Sequence, residues 1–120
     1  MLPIGLGCMR LDDDAVIAAA IALGVEWLDT AHAYEGSEER IARVAPGARV
    51  VTKVGMTRPG GAWVVDGRAR TILEQARESK ARLGRAPDIL ILHAPDPDVG
   101  LATSVRALVK AREEGFAHAI

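Results

Sequence analysis

The chain has 120 residues, a formal net charge of −1, and 49% hydrophobic against 26% charged residues, a balance that suits one folded globular unit and excludes a disordered tail. Fifteen basic residues against sixteen acidic ones leave no basic stripe, and only 3% of the residues are aromatic, which argues against nucleic acid as a partner, whether duplex or single-stranded. No apolar run is long enough to span a bilayer, "MLPIGLGCMR" has no basic region followed by a long apolar segment, and the lone Cys8 cannot close an internal disulfide, so the expectation is a cytoplasmic protein without a membrane partner.

The organisation follows from the pattern along the chain. "IGLG" (Ile4 to Gly7) reads as a short strand, and "LDDDAVIAAAIALG" as a helix with N-cap candidates in Asp12 to Asp14 and a stop at Gly24. A second strand, "VEWLDT" (Val25 to Thr30), precedes the octet "DTAHAYEG" and a helix beginning at Ser37, an N-cap candidate with Glu38 and Glu39 in the first turn where the helix dipole favours acids. The β-branched run "RVVTKVG" (Arg49 to Gly55) reads as a buried strand. After it, "TRPGGAWVVDG" reads as a long loop turned by Pro59, Gly60 and Gly61. A third helix carries Ile72, Ala76 and Leu83 on one face before Gly84. "DILILH" (Asp88 to His93) is the fourth strand, and a fourth helix has Leu101, Val105, Leu108 and Val109 at helical spacing before Gly115. The closing "FAHAI" has the look of a fifth strand beginning. Four successive βα units imply parallel strands joined by right-handed crossovers, hence an α/β fold; a doubly wound sheet and a barrel both satisfy the pattern.

In either fold, ligands bind at the carboxyl ends of the strands, and those ends carry Gly7 and Cys8, then Asp29, Lys53 and His93, with Tyr34 in the loop after the second strand. Lys53 stands out, because the chain uses twelve arginines and three lysines and this lysine interrupts a valine-rich strand, where a charge is costly unless paired. A lysine held charged by Asp29 eases loss of the proton from a neighbouring phenol, which makes Tyr34 a candidate acid; His93 is then placed to orient a carbonyl oxygen. Each residue alone has a plainer reading: Asp29 as a turn residue, Tyr34 as a loop residue, His93 satisfying a backbone carbonyl, Lys53 in a structural ion pair, Cys8 as a small buried apolar side chain. Gly5 and Gly7 form only "GLG", short of a dinucleotide fingerprint, and His32 and His118 lack partners at metal-ligand spacing.

Taken together and in order, "GLGCMR", "WLDTAHAYEGSEE", "VVTKVG" and "LILHAPDP" resemble the N-terminal half of the aldo-keto reductase family over essentially the whole chain. The resemblance implies about half of a TIM-type (β/α)8 barrel, four βα units and the start of strand five, with residues 1–120 forming a fragment of a longer reductase. It implies NADP(H)-dependent reduction of an aldehyde or ketone, with Asp29, Tyr34, Lys53 and His93 as the catalytic set and Gly7, Cys8, Met9 and Asp29 on the cofactor's nicotinamide side. The sequence departs from many members in placing Glu35 between Tyr34 and Gly36. Activity is expected only when the barrel is completed, by the missing half or by self-association. Two other readings are a non-catalytic half-barrel that binds a partner or a second copy, and a Schiff-base lyase using Lys53.

Overall fold

The computed structural model describes residues 3–120. In chain order its elements are β1 (Gly5–Gly7), α1 (Asp14–Ala22), β2 (Trp27–Asp29), α2 (Ser37–Val44), β3 (Arg49–Val54), β4 (Met56–Thr57), a 3-10 turn (Pro59–Gly61), β5 (Val64–Val65), α3 (Ala69–Leu83), β6 (Ile89–Leu92) and α4 (Leu101–Glu113). The main sheet is parallel with strand order β1-β2-β3-β6, so each strand lies beside the one before it in the βα series. That order never reverses, which removes the doubly wound alternative and leaves part of a (β/α)8 barrel. A single parallel bridge from Ile89 to Ala119 extends the series where a fifth strand was expected.

Strand alternation divides the sheet into two unlike faces. Leu28, Thr30, Val50, Thr52, Val54 and Leu90 point to the helices and are fully buried. Trp27, Asp29, Val51, Lys53, Ile89 and Ile91 occupy the other parity and are half-buried. The helix-side residues feed two apolar clusters, one joining Ile17, Leu28, Ile41, Val50 and Leu83, the other Val54, Ile72, Ala76, Leu90, Leu108 and Ala111. The opposite parity is the lumen face of the barrel, and it carries the charged pair. Among the described residues no helix is long and apolar enough to cross a membrane.

Three local expectations are corrected. Ser37 is not the N-cap of α2: Gly36 takes that place in the left-handed region at φ 73°, and Ser37 lies inside the helix with its hydroxyl directed at Thr30. A left-handed cap favours glycine, which has no Cβ to strain the backbone there, and this suits Gly36 to the position after Glu35. The 57–67 segment is not an unstructured loop, because Met56 and Thr57 pair antiparallel with Val65 and Val64 in a short hairpin. On α4 the buried face is Ser104, Ala107, Leu108 and Ala111, while Leu101 and Val105 are exposed. Small residues win that face because they let α4 close on the sheet side and let the Ser104 hydroxyl donate to the Gly67 carbonyl at 2.7 Å. At α1 the N-cap is Asp13, whose carboxylate accepts the Ala15 N–H at 2.9 Å.

Candidate active site

Asp29 and Lys53 share the lumen face because they sit at equivalent parity on adjacent strands, with Asp29 in register with Val51, two residues before Lys53. Lys53 reaches back along the sheet, and its Nζ donates to both Asp29 carboxylate oxygens, at 2.9 and 2.8 Å, and to the Thr30 carbonyl at 2.8 Å. An ammonium has three N–H donors and no acceptor; three acceptors surround this one. The lysine side chain is 15% exposed, so the carboxylate partner offsets much of the cost of holding a charge there.

Tyr34 is delivered to this pair by a tightly bonded turn. Its N–H donates to the Ala31 carbonyl at 3.0 Å, its carbonyl accepts from the Ser37 N–H at 3.0 Å, and the His32 N–H reaches across to the Lys53 carbonyl at 3.0 Å. The Lys53 ammonium lies 5.2 Å from the centroid of the Tyr34 ring, within the range of cation–π attraction. The Tyr34 ring also stands edge-on to His93, with centroids 5.8 Å apart. His93 is fixed at the end of β6 by its N–H, which donates to the Val54 carbonyl at 2.8 Å, and its Nδ1 is buried without a hydrogen-bond partner among the described residues. Burial, and secondarily the Lys53 charge, hold the imidazole below its ordinary pKa of 6.5 against the opposing pull of Asp29. All four strand-end and loop candidates thus meet at one mouth.

Two further residues join them. Trp63, from the hairpin, contacts both rings, 6.1 Å from Tyr34 and 5.9 Å from His93. Arg58 stacks on the indole, 3.6 Å from the ring centroid, and donates to the carbonyls of Gly61 and Ala62, which ties the indole to the hairpin tip as one wall. Trp63 lies in the stretch whose sequence reads as a long loop. The Arg58 clamp went unread, since it depends on a 3-10 turn that brings positions 58 and 63 together. A cleft of about 560 Å³ opens beside this wall, bordered by Cys8, Met9, Tyr34, Arg40, Arg58 and Trp63 among others.

At the positions the resemblance assigns to the cofactor side, the end of β1 is open: a Cβ on Gly7 would meet no atom within 4 Å, and Met9 is 44% exposed. Cys8 differs, since its side chain is buried and its thiol, beside the Leu6 carbonyl at 3.6 Å, is pushed up to about 11 by desolvation and then by Asp29. Its backbone is engaged as well, the N–H donating to the Asp29 carbonyl at 2.8 Å and the carbonyl accepting from the Leu11 N–H at 3.3 Å. His32, away from the cluster, pairs with Glu78 on α3 at 2.6 Å.

Successive parallel βα units with titratable side chains gathered at the carboxyl ends of the strands define a (β/α)8-type barrel protein, present here in part. A sequence model of the aldo/keto reductase family matches residues 3–120, and the chain belongs to that family. It is 31% identical over 122 residues to an aldo-keto reductase of Mycobacterium tuberculosis, a match that covers 98% of this chain and 43% of that protein. Among solved structures, an aldo-keto reductase from Bacillus halodurans in its holo form superimposes with a TM-score of 0.81 at 26% identity, covering 96% of this chain and 43% of the other. A glycerol dehydrogenase from Gluconobacter oxydans gives 0.82 at 27% identity, covering 94% and 42%. The chain therefore spans less than half the length of the curated relatives it matches.

Proposed function

We propose that this chain carries the proton-donor half of a carbonyl reductase site that uses NADP(H) and converts aldehydes or ketones to alcohols. The observation that carries the reading is the engagement of all three Lys53 donors by Asp29 and Thr30 with the ammonium 5.2 Å from the Tyr34 ring. Family membership, and a structural neighbour named as a glycerol dehydrogenase, support alcohol–carbonyl chemistry.

In this reading Tyr34 donates its phenolic proton to the carbonyl oxygen as that oxygen gains an electron pair. The positive charge of Lys53 stabilises the negative charge left on the phenol oxygen, and the Asp29 carboxylate holds the ammonium in place beside the ring. His93, held neutral by burial, hydrogen-bonds the same carbonyl oxygen and fixes its direction without competing as an acid. Gly7, in register with Asp29, and the exposed Met9 border open space, with Cys8 buried between them, which fits the flat nicotinamide end of a dinucleotide. When bound, that cofactor supplies the hydride accepted by the carbonyl carbon.

The reading requires the rest of the barrel. Val51, Ile89 and Ile91 on the lumen face are half-buried, and a parallel sheet is stable with both faces covered, so a completing half, from a longer chain or a second copy, is the partner this surface suits. The free Cys8 agrees with a reducing cytoplasm. The lyase alternative is disfavoured because imine formation needs a free amine lone pair, whereas the acceptors around Lys53 suit only the ammonium. The test is NADPH oxidation over a panel of aldehydes, on the chain alone and on a form continued through a full barrel. Lys53→Met is expected to lower kcat in the full barrel by about 100- to 10,000-fold. Turnover unchanged by that substitution would overturn the reading.

A further inference from the structure

Behind the lumen-facing cluster lies a second set of polar side chains that the proposed chemistry does not use. Thr30, Thr52 and Glu38 are fully buried and Ser37 is 5% exposed. The two threonines follow from strand parity: Thr30 comes one residue after Asp29 and Thr52 one before Lys53, so both point to the helix side, where Ser37 and Glu38 in the first turn of α2 meet them. The Thr52 hydroxyl donates to Glu38 Oε1 at 2.5 Å, and Glu38 Oε2 lies 3.4 Å from Arg82 on α3. The Thr30 and Ser37 hydroxyls are 2.7 Å apart.

Resting on the reductase reading above, we propose that Thr30 and Ser37 are positioning residues whose hydroxyl pair latches the start of α2 onto the end of β2 and so closes the turn that carries Tyr34. Thr30 joins the two halves of the cluster: its carbonyl accepts from Lys53 at 2.8 Å and its hydroxyl meets Ser37. Tyr34 sits midway between the latched residues. The backbone bonds from Tyr34 to Ala31 and from Ser37 to Tyr34 shape the turn locally, but neither ties its end on α2 to its start on β2. Two apolar side chains of the same size would fill the space and allow the helix to slide; a hydrogen bond fixes separation and direction. The Glu38–Thr52 contact holds α2 on β3 independently, so removing the latch leaves the fold its own anchor.

The latch separates from a merely structural pair by its response to removal of both partners. Leaving one hydroxyl buried without a partner destabilises a protein, whereas replacing both by apolar groups is nearly neutral. Thr30→Val, Ser37→Ala, the double variant and Thr30→Ser are compared in the 120-residue chain by urea midpoint and by NMR contacts from the ring of Tyr34, the only tyrosine, to His93 and Trp63. The expected result is that both single variants lose stability and most of the ring-contact intensity. Thr30→Ser keeps both, and the double variant recovers stability while the ring contacts stay lost. Wild-type ring contacts in the double variant would overturn the proposal. Assays in the full barrel keep the two readings apart. A fall in kcat with KM held in the double variant supports the latch. Lost ring contacts with full activity in Tyr34→Phe would leave the latch standing and remove Tyr34 as the acid.

Discussion

His93 shows how a single side chain reports the electrostatics of the whole cluster. Its pKa is lowered first by burial and second by Lys53, with Asp29 opposing. Between that lowered value and the ordinary 6.5, the unfolded chain binds a proton that the folded chain does not. Its contribution to stability is therefore complete above 6.5 and is lost as the pH falls toward the folded midpoint. Replacing Lys53 by Met removes the second cause and leaves the Asp29 carboxylate unpaired nearby, so the His93 titration followed by NMR is expected to move upward. A midpoint that stays put would mean that the Lys53 charge does not reach the imidazole. Lys53 itself was legible as a site residue from a cost argument, a charge inside a valine-rich strand, and its pairing with Asp29 is what that argument demands. The Thr30–Ser37 contact was not legible, because Ser37 in front of two glutamates has the same local signature as an ordinary helix cap.

At the scale of elements, the turn from β2 into α2 concentrates the most specific backbone requirement near the site. Gly36 adopts φ 73° and an added Cβ would meet no atom within 4 Å, so the cost of Gly36→Ala is backbone strain alone, about 1 kcal/mol. The urea midpoint is expected to fall accordingly, and an unchanged midpoint would show that the turn tolerates another conformation. The four helices and four parallel strands were readable from periodicity, caps and glycine stops. The β4–β5 hairpin was not, since two-residue strands interrupted by "RPGGAW" carry no periodic signal. The orientation of α4 was misjudged for a related reason: apolar spacing selected Leu101 and Val105, whereas close packing selected Ser104, Ala107 and Ala111.

For the whole molecule, the two faces of the sheet make unequal demands. Leu90 is fully buried under the helices, while Ile91, its neighbour on β6, lies half-buried on the lumen face. In the 120-residue chain Leu90→Glu is expected to cost about 3 kcal/mol or more and Ile91→Glu under about 1 kcal/mol, read from denaturant midpoints. Equal costs would mean that something already covers the lumen face, such as a second copy. The sequence pattern left barrel and doubly wound sheet open because both are built from the same βα unit; only strand order distinguishes them, and order is a property of the folded sheet. The central claim is that Tyr34 gives up a proton in a site assembled by Asp29, Lys53 and His93. It is tested most directly by single-turnover NADPH oxidation with an aldehyde in the full barrel, comparing the native side chain with Tyr34→Phe. The predicted result is a chemical step slowed about 100- to 10,000-fold with the aromatic packing against His93 and Trp63 retained; an unchanged rate would contradict the account.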